Sequence, residues 1–140
     1  MLSFFKPNKI NIIGFEDIKT IINNPSTYLL INTLSSQDQD ILIKNTIVSN
    51  DEEEVINNML NDYNLPNKPI AIYGKNTSDK SVEKKYDQLL KYGIKELYIY
   101  YGGLFEWLLL NEIYGCEEFP LNKNHSTIDI LKYRNSKVIL

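Results

Sequence analysis

The amino-acid sequence predicts a three-layer α/β domain, with a mainly parallel sheet of about four or five strands and helices on both faces. Short apolar runs rich in branched and aromatic residues, such as Tyr28 to Thr33 and Lys68 to Tyr73, have the composition of buried strands. Longer segments of helical period alternate with these runs along the chain. This alternation is typical of a parallel sheet covered by helices.

The first third of the chain is expected to run strand, helix, strand and loop. Lys9 to Ile13 is interpreted as a strand, and Phe15 to Asn23 as a helix with isoleucines on one face. Tyr28 to Thr33 is the next buried strand. Leu34 to Gln39 is polar and turn-like, and the interpretation of Ile41 to Val48 stays open.

The middle of the chain is expected to contribute two helices around a strand. Asp51 to Asn61 begins with acidic residues, which suit the first turn of a helix. Lys68 to Tyr73 is a strand and Gly74 to Asp79 a polar loop. Ser81 to Tyr92 is a helix that Gly93 ends, because glycine readily takes the left-handed conformation found after helices.

The rest of the chain is expected to add a strand, a tight turn and a helix. Leu97 to Tyr100 is the strand, Gly102-Gly103 the turn, and Leu104 to Ile113 the helix, after which Gly115 permits a chain reversal. In Asn124 to Tyr133 we expect a short amphipathic helix.

Four side chains of that last helix are expected to pack inward: Ile128, Ile130, Leu131 and Tyr133. Val138 to Leu140 is interpreted either as a strand or as a frayed end.

Length and composition favour one domain of residues 1–140, with a core at about 9–113 and an extension at 114–140.

The net charge of -3, without a basic stripe, argues against nucleic acid and anionic membranes as partners. The apolar runs are too short to cross a bilayer, and the sequence begins without a secretory signal, so a cytoplasmic location is expected. A single cysteine, Cys116, excludes an internal disulfide and a multi-cysteine zinc site.

Two segments of the sequence have a distinctive order of elements and residues. Pro69 to Tyr73 is a strand that leads into a loop and then a helix. Tyr92 to Trp107 contains a glycine, a strand, Gly-Gly and a tryptophan four residues beyond the second glycine, at positions Gly93, Gly102, Gly103 and Trp107. Together these segments resemble the rhodanese family, whose active-site region has the same order of strand, loop and helix. The resemblance covers roughly residues 10 to 107 and implies a rhodanese-like fold.

The sequence departs from the family where its chemistry takes place. Active rhodaneses carry a cysteine at the start of the loop, where the helix N-terminus lowers the thiol pKa. Here the corresponding residue is Gly74, and residues 74–80 contain neither a cysteine nor the arginine that often closes the family's loop. The resemblance therefore implies a member without sulfurtransferase activity.

The same loop is also a candidate anion site. In an open α/β sheet, ligands bind beyond the carboxyl ends of the strands, and a helix N-terminus there favours negative charge. Asp79 would oppose an anion in this loop. The residues we consider for anion binding are Lys75, Asn76, Thr77, Ser78, Lys80 and Ser81.

Two further residues invite chemistry, but their sequence surroundings favour ordinary roles. Cys116 could carry a persulfide, yet the neighbouring Glu117 and Glu118 would raise its pKa. His125 has no evident partner in the sequence and is interpreted as a solvated loop residue. The aromatic residues around Gly102-Gly103 are expected to fill the core, with Tyr101 and Tyr114 as candidates for an exposed patch.

The leading functional hypothesis is a catalytically inactive rhodanese-like module that acts in protein interaction or assembly, without a cofactor or a metal. Its partner is expected to be another protein, and a homo-oligomer stays open. The alternative is a small-anion-binding protein or an enzyme related to sulfurtransferases or phosphatases, which uses loop 74–81. A sulfur carrier that works through Cys116 ranks third.

Overall fold

A parallel sheet forms the centre of the protein, whose structure is a computed structural model that describes residues 9–62, 67–125 and 127–136. Within these residues the sheet has three strands in the order β1 (Leu29–Asn32), β2 (Ile70–Tyr73) and β3 (Leu97–Tyr100). Asn32 pairs with Tyr73, and Tyr73 pairs with Tyr100. The carboxyl ends of all three strands therefore meet at one edge, where α/β proteins place ligands.

Helices cover both faces of this sheet, as predicted. They are α1 (Phe15–Asn23), α2 (Ser49–Asn61), α3 (Ser81–Lys91) and α4 (Gly103–Tyr114). Side chains of α1 and α4 share one apolar core with half of the strand residues, and those of α2 and α3 share a second core with the other half. The strands are buried on both faces because successive side chains point to opposite sides. In the described part of the chain, no helix is long and apolar enough to span a membrane.

The prediction of four or five strands is corrected by the structure, because the described sheet has three. Lys9 to Ile13 does not form a full strand: the Ile13 N–H donates to the Ile99 carbonyl at 2.9 Å, and the Ile99 N–H donates to the Asn11 carbonyl at 2.8 Å. These bonds make Ile12 a single parallel bridge beside β3. The pairing stops there because α1 begins at Phe15, only three residues later.

The end of α3 follows the prediction closely. Gly93 has a φ of +93°. The Gly93 N–H donates to the Leu90 carbonyl at 3.0 Å, and the Ile94 N–H donates to the Leu89 carbonyl at 3.2 Å. This pair of bonds is the Schellman motif, and the buried side chains of Leu89 and Ile94 add its usual apolar contact.

The prediction of an amphipathic helix from Asn124 to Tyr133 is also corrected by the structure. Only the end of this segment is helical, and it forms a 3₁₀ helix over Ile130–Tyr133. Tyr133 is buried and Ile128 and Ile130 are half-buried, as expected, whereas Leu131 is 64% exposed. In a 3₁₀ helix, side chains three residues apart point in the same direction. Ile130 and Tyr133 therefore share one face, and Leu131 lies on another. Ser126 and Val138 to Leu140 lie outside the described residues.

Residues beyond 113 also complete the core beside α4. Phe119 is buried, and its ring meets that of Trp107 edge-on, with centroids 5.1 Å apart. The Trp107 indole N–H donates to the Pro120 carbonyl at 3.0 Å. Trp107 is thus satisfied at both its apolar and its polar end, which fits its fully buried position.

Candidate functional site

Loop 74–81 lies between β2 and α3, and the Gly102-Gly103 turn packs directly against it. The Leu104 N–H donates to the Gly74 carbonyl and the Phe105 N–H to the Lys75 carbonyl, each at 2.9 Å. Gly103 has a φ of +67°, and a Cβ at this position would lie 2.7 Å from the Gly74 carbonyl oxygen. Glycine is required here because both the backbone conformation and the close approach exclude a side chain.

Gly102 has a different reason to be glycine. The buried Tyr100 hydroxyl donates to Glu106 Oε1 at 2.6 Å, and a Cβ on Gly102 would lie 2.6 to 2.8 Å from the carboxyl atoms of Glu106. Burial, together with this bond to Glu106, raises the pKa of Tyr100 well above its ordinary value. Gly102 therefore leaves room for the carboxylate that satisfies a buried hydroxyl.

Gly74 is buried at the position where the resemblance places a catalytic cysteine. A Cβ on Gly74 would lie 2.5 Å from Asp79 Oδ2 and 2.5 Å from Val82 Cγ2. Both distances are well inside van der Waals contact. The space that a nucleophilic side chain would need is therefore filled by the carboxylate of Asp79 and the side chain of Val82.

Asp79 also binds the backbone amides of the loop. Its Oδ2 accepts a hydrogen bond from the Lys75 N–H at 2.9 Å, and its Oδ1 accepts one from the Ser81 N–H at 3.0 Å. The Ser81 hydroxyl contacts the same Oδ1 and lies 2.8 Å from Thr33 Oγ1. The carboxylate of Asp79 thus accepts hydrogen bonds from the amides that an anion would otherwise bind.

Asn76 connects the loop to a segment that we call the C-terminal strap, residues 127–136. Asn76 is buried, its Oδ1 accepts the Ser78 N–H at 3.0 Å, and its Nδ2 donates to the carbonyls of Tyr133 and Arg134. The Asn135 side-chain amide donates to Thr77 Oγ1 at 2.8 Å. The strap therefore lies across the loop.

The two lysines of the loop differ in their surroundings. Lys75 is half-buried and lies close enough to Asp38 to contribute to its electrostatics, whereas Lys80 is exposed. Lys132 of the strap is the closer partner of Asp38, with Nζ 2.9 Å from Oδ1. A hydrogen bond from Lys132 is the main reason why the pKa of Asp38 is held below its ordinary value. Lys75 makes only the smallest of the contributions that affect the pKa of Asp38.

Cys116 and His125 line one cavity of about 350 Å³ together with Lys44, an arrangement that the sequence did not indicate. Cys116 is exposed, and its Sγ lies 3.7 Å from Asn111 Nδ2. His125 Nε2 is buried without a hydrogen-bond partner among the described residues. Glu118, which was expected to act on Cys116, is ion-paired with Lys19 at 2.8 Å.

A cavity of about 600 Å³ lies between α2 and α3, next to the carboxyl end of β1. Of the six residues considered for anion binding, Ser81 lines it. Sequence analysis did not find this cavity, because its walls come from two helices that are far apart in the chain. The acidic residues at the start of α2 were interpreted from the sequence as stabilising the helix N-terminus, and not as part of a cavity.

Comparisons with known proteins add no relative to this description. No family model matches the chain, and a search of curated proteins found no match. The rhodanese resemblance therefore rests on the residues of the chain itself.

Proposed function

We propose that this chain is a catalytically inactive rhodanese-like module that acts through protein interaction or as a structural part of an assembly. The observation that carries the proposal is the position of Asp79, whose carboxylate binds the amides of Lys75 and Ser81 and fills the space beside Gly74. Sulfur transfer on this fold would need a thiolate at Gly74, stabilised by those same amides. The chain has neither the thiol nor the free donors there.

The outer face of α4 supports an interaction role. Leu109 and Ile113 are spaced by four residues, so they share one face of the helix, and they are 39% and 69% exposed. The opposite face of α4 packs into the core through Leu104 and Trp107. A helix that is apolar on both faces is typical of one covered on both sides. We therefore assign the interaction to this outer face, with another protein or a second copy of the chain as the partner.

Anion binding at loop 74–81 ranks second. A phosphate or sulfate would have to displace the carboxylate of Asp79 from the amides of Lys75 and Ser81. It would also meet the negative charge of that carboxylate, which opposes binding. A sulfur carrier that works through Cys116 ranks third: the thiol is exposed, as a carrier requires, but it lies outside loop 74–81.

A thiosulfate sulfurtransferase assay tests the absence of catalysis. We expect no turnover from the wild type or from Gly74→Cys, because the new side chain would meet Asp79 and Val82. Gly74→Cys combined with Asp79→Ala and Val82→Ala removes both side chains that fill the space and frees the amides, so this triple variant is the one in which activity could be gained. Turnover by the wild type that disappears in Cys116→Ser would overturn the proposal.

Retention of a partner tests the interaction role. The purified chain is immobilised, and proteins retained by the wild type are compared with those retained by Ile113→Asp and by Ile12→Asp. Ile12 is a matched control, because it is 66% exposed but lies at the β3 edge of the sheet. A partner lost only from Ile113→Asp supports the proposal, as does a wild-type dimer in sedimentation that only this variant disrupts. Equal retention and equal mass for all three proteins would contradict it.

A further inference from the structure

The cavity between α2 and α3, which we call the α2–α3 crevice, has the position of a ligand site. Its inner end is formed by Thr33, which follows β1, and by Ser49 and Ser81, the first residues of α2 and α3. The hydroxyls of Thr33 and Ser81 lie 2.8 Å apart, so they meet at the carboxyl end of β1 beside the N-terminus of α3. Leu34, Ile56 and Leu89 also line this cavity, but they are core residues with only 8%, 5% and 2% of their surface exposed.

The two long walls of the crevice carry opposite charges. The α2 wall presents Glu52 and Glu53, and the α3 wall presents Lys84 and Lys85. Two carboxylates and two ammonium groups give the lining no net charge. A ligand with one charge would be attracted by one wall and repelled by the other, whereas a molecule with a cation and an anion can satisfy both.

One charge from each wall is fixed in place. Glu52 is 8% exposed, and Lys85 Nζ lies 2.6 Å from its Oε2, so this partly buried pair joins the two helices. Glu53 and Lys84 are exposed and form no ion pair within the residues that the structure describes. The Glu52–Lys85 pair therefore holds the walls at a set distance, and Glu53 and Lys84 are free to contact a ligand.

We propose that the α2–α3 crevice binds a small zwitterionic molecule of the amino-acid type. Its ammonium group contacts Glu53 on the α2 wall, its carboxylate contacts Lys84 on the α3 wall, and its side chain lies in the crevice between the two helices. The volume of about 600 Å³ is within the range of small-molecule sites. This inference is independent of the proposed interaction through α4, which uses a different surface.

Three probes with the same indole ring separate the contributions of the two charges. L-tryptophan carries both charges, tryptamine carries the ammonium group, and 3-indolepropionate carries the carboxylate. Binding is followed by the amide shifts of Thr33, Ser49 and Ser81 in NMR titrations of the ¹⁵N-labelled full chain. We expect L-tryptophan to bind about fivefold more tightly than either analogue, the effect of one further charge contact worth about 1 kcal/mol.

Two substitutions on the rim give opposite patterns if the walls act as proposed. Glu53→Gln should weaken L-tryptophan and tryptamine about fivefold and leave 3-indolepropionate unchanged, whereas Lys84→Gln should weaken L-tryptophan and 3-indolepropionate and leave tryptamine unchanged. Glu54→Gln and Lys91→Gln are the matched controls, because these exposed residues lie on the same helices outside the crevice. All four changes are at exposed positions, so the fold should be retained.

Three results would overturn the inference. The first is the absence of shifts at Thr33, Ser49 and Ser81 with every probe. The second is equal affinity for the three probes, which would mean that the opposite charges of the walls do not select the ligand. The third is an equal effect of Glu53→Gln and Glu54→Gln, which would mean that net charge, and not the α2 wall, changes binding.

Discussion

The side-chain amide of Asn76 donates to the backbone carbonyl of Tyr133 at 3.0 Å, although the two residues are 57 positions apart in the sequence. The same nitrogen lies 3.1 Å from the Arg134 carbonyl oxygen, and Asn76 Oδ1 accepts the Ser78 N–H. One buried side chain therefore satisfies a loop amide and two carbonyls of the C-terminal strap. Because buried polar groups are costly when unpaired, this bond determines where the strap lies.

Asn76→Asp should release the strap from loop 74–81. The substitution keeps the oxygen that accepts the Ser78 N–H, but it turns a carboxylate oxygen toward two carbonyl oxygens. We expect the free energy of unfolding in urea to fall by about 3 kcal/mol, since a buried donor is lost and a charge is left unpaired. Asn135→Asp is the control: its bond to Thr77 is exposed, so a change within about 0.5 kcal/mol is expected. Equal losses in the two variants would contradict the role of Asn76.

Tyr73→Phe should destabilise the protein without changing its shape. The Tyr73 hydroxyl accepts the Ile43 N–H at 3.1 Å and lies 2.8 Å from Thr46 Oγ1, in a fully buried setting that raises its pKa. Removing this hydroxyl leaves the Ile43 N–H without its acceptor, which should cost about 1 to 3 kcal/mol in urea unfolding.

The control for this change is Tyr92→Phe. The Tyr92 hydroxyl accepts a bond from Gln88 on the exposed side of α3, so its loss should be nearly neutral. If both variants unfold at the wild-type urea concentration, the Tyr73 hydroxyl does not hold the segment that contains Ile43.

The Asp38–Lys132 ion pair should give the strap a pH-dependent attachment. The hydrogen bond from Lys132 lowers the pKa of Asp38, so the stabilisation is present above its unfolded pKa and is lost as the pH falls through the lower folded value. The hydrogen bond to Asp38 raises the pKa of Lys132, so that stabilisation is present below its unfolded pKa and is lost as the pH rises through the higher folded value. The pair should therefore be intact from about pH 4 to about pH 10.

Asp38→Asn tests this assignment. Hydrogen exchange of strap amides is measured from acid to neutral pH and corrected for the intrinsic rate. The wild type should be better protected than the variant at neutral pH, and the difference should shrink as the pH falls below about 4. Asp40→Asn is the control, because Asp40 pairs with Lys123 outside the strap. A difference that stays constant across the pH range would exclude Asp38 as the titrating group.

The sequence predicted the parts of the fold that depend on local patterns. The strand Leu97–Tyr100 and the left-handed Gly93 after α3 lie where the sequence placed them, because branched residues, helical period and a C-terminal glycine act over a few residues. The predicted strand at Lys9 to Ile13 was wrong, because pairing depends on a neighbouring strand and on where α1 begins.

The candidate site was harder to predict, because distant residues form it. The sequence identified Asp79 as a residue unfavourable to anions, but not that its carboxylate turns back onto Lys75 and Ser81. That geometry depends on side-chain packing beside Gly74. The bond between Asn76 and Tyr133 and the crevice between α2 and α3 join segments with no shared local pattern. Sequence patterns alone do not predict contacts between such distant residues.

Gly103→Ala should cost clearly more stability than Gly93→Ala, and the comparison measures how tightly the Gly-Gly turn approaches loop 74–81. Both glycines have a positive φ, so each alanine should cost about 1 to 2 kcal/mol for backbone strain. A Cβ on Gly93 has no atom within 4 Å, whereas one on Gly103 lies 2.7 Å from the Gly74 carbonyl oxygen and 3.0 Å from the Asn76 nitrogen. That clash involves rigid backbone, so Gly103→Ala should lose about 2 kcal/mol more in urea unfolding. Equal losses would mean that loop 74–81 can move away from the turn at little cost, and the close packing of the turn on Gly74 would then not be what holds the loop in place.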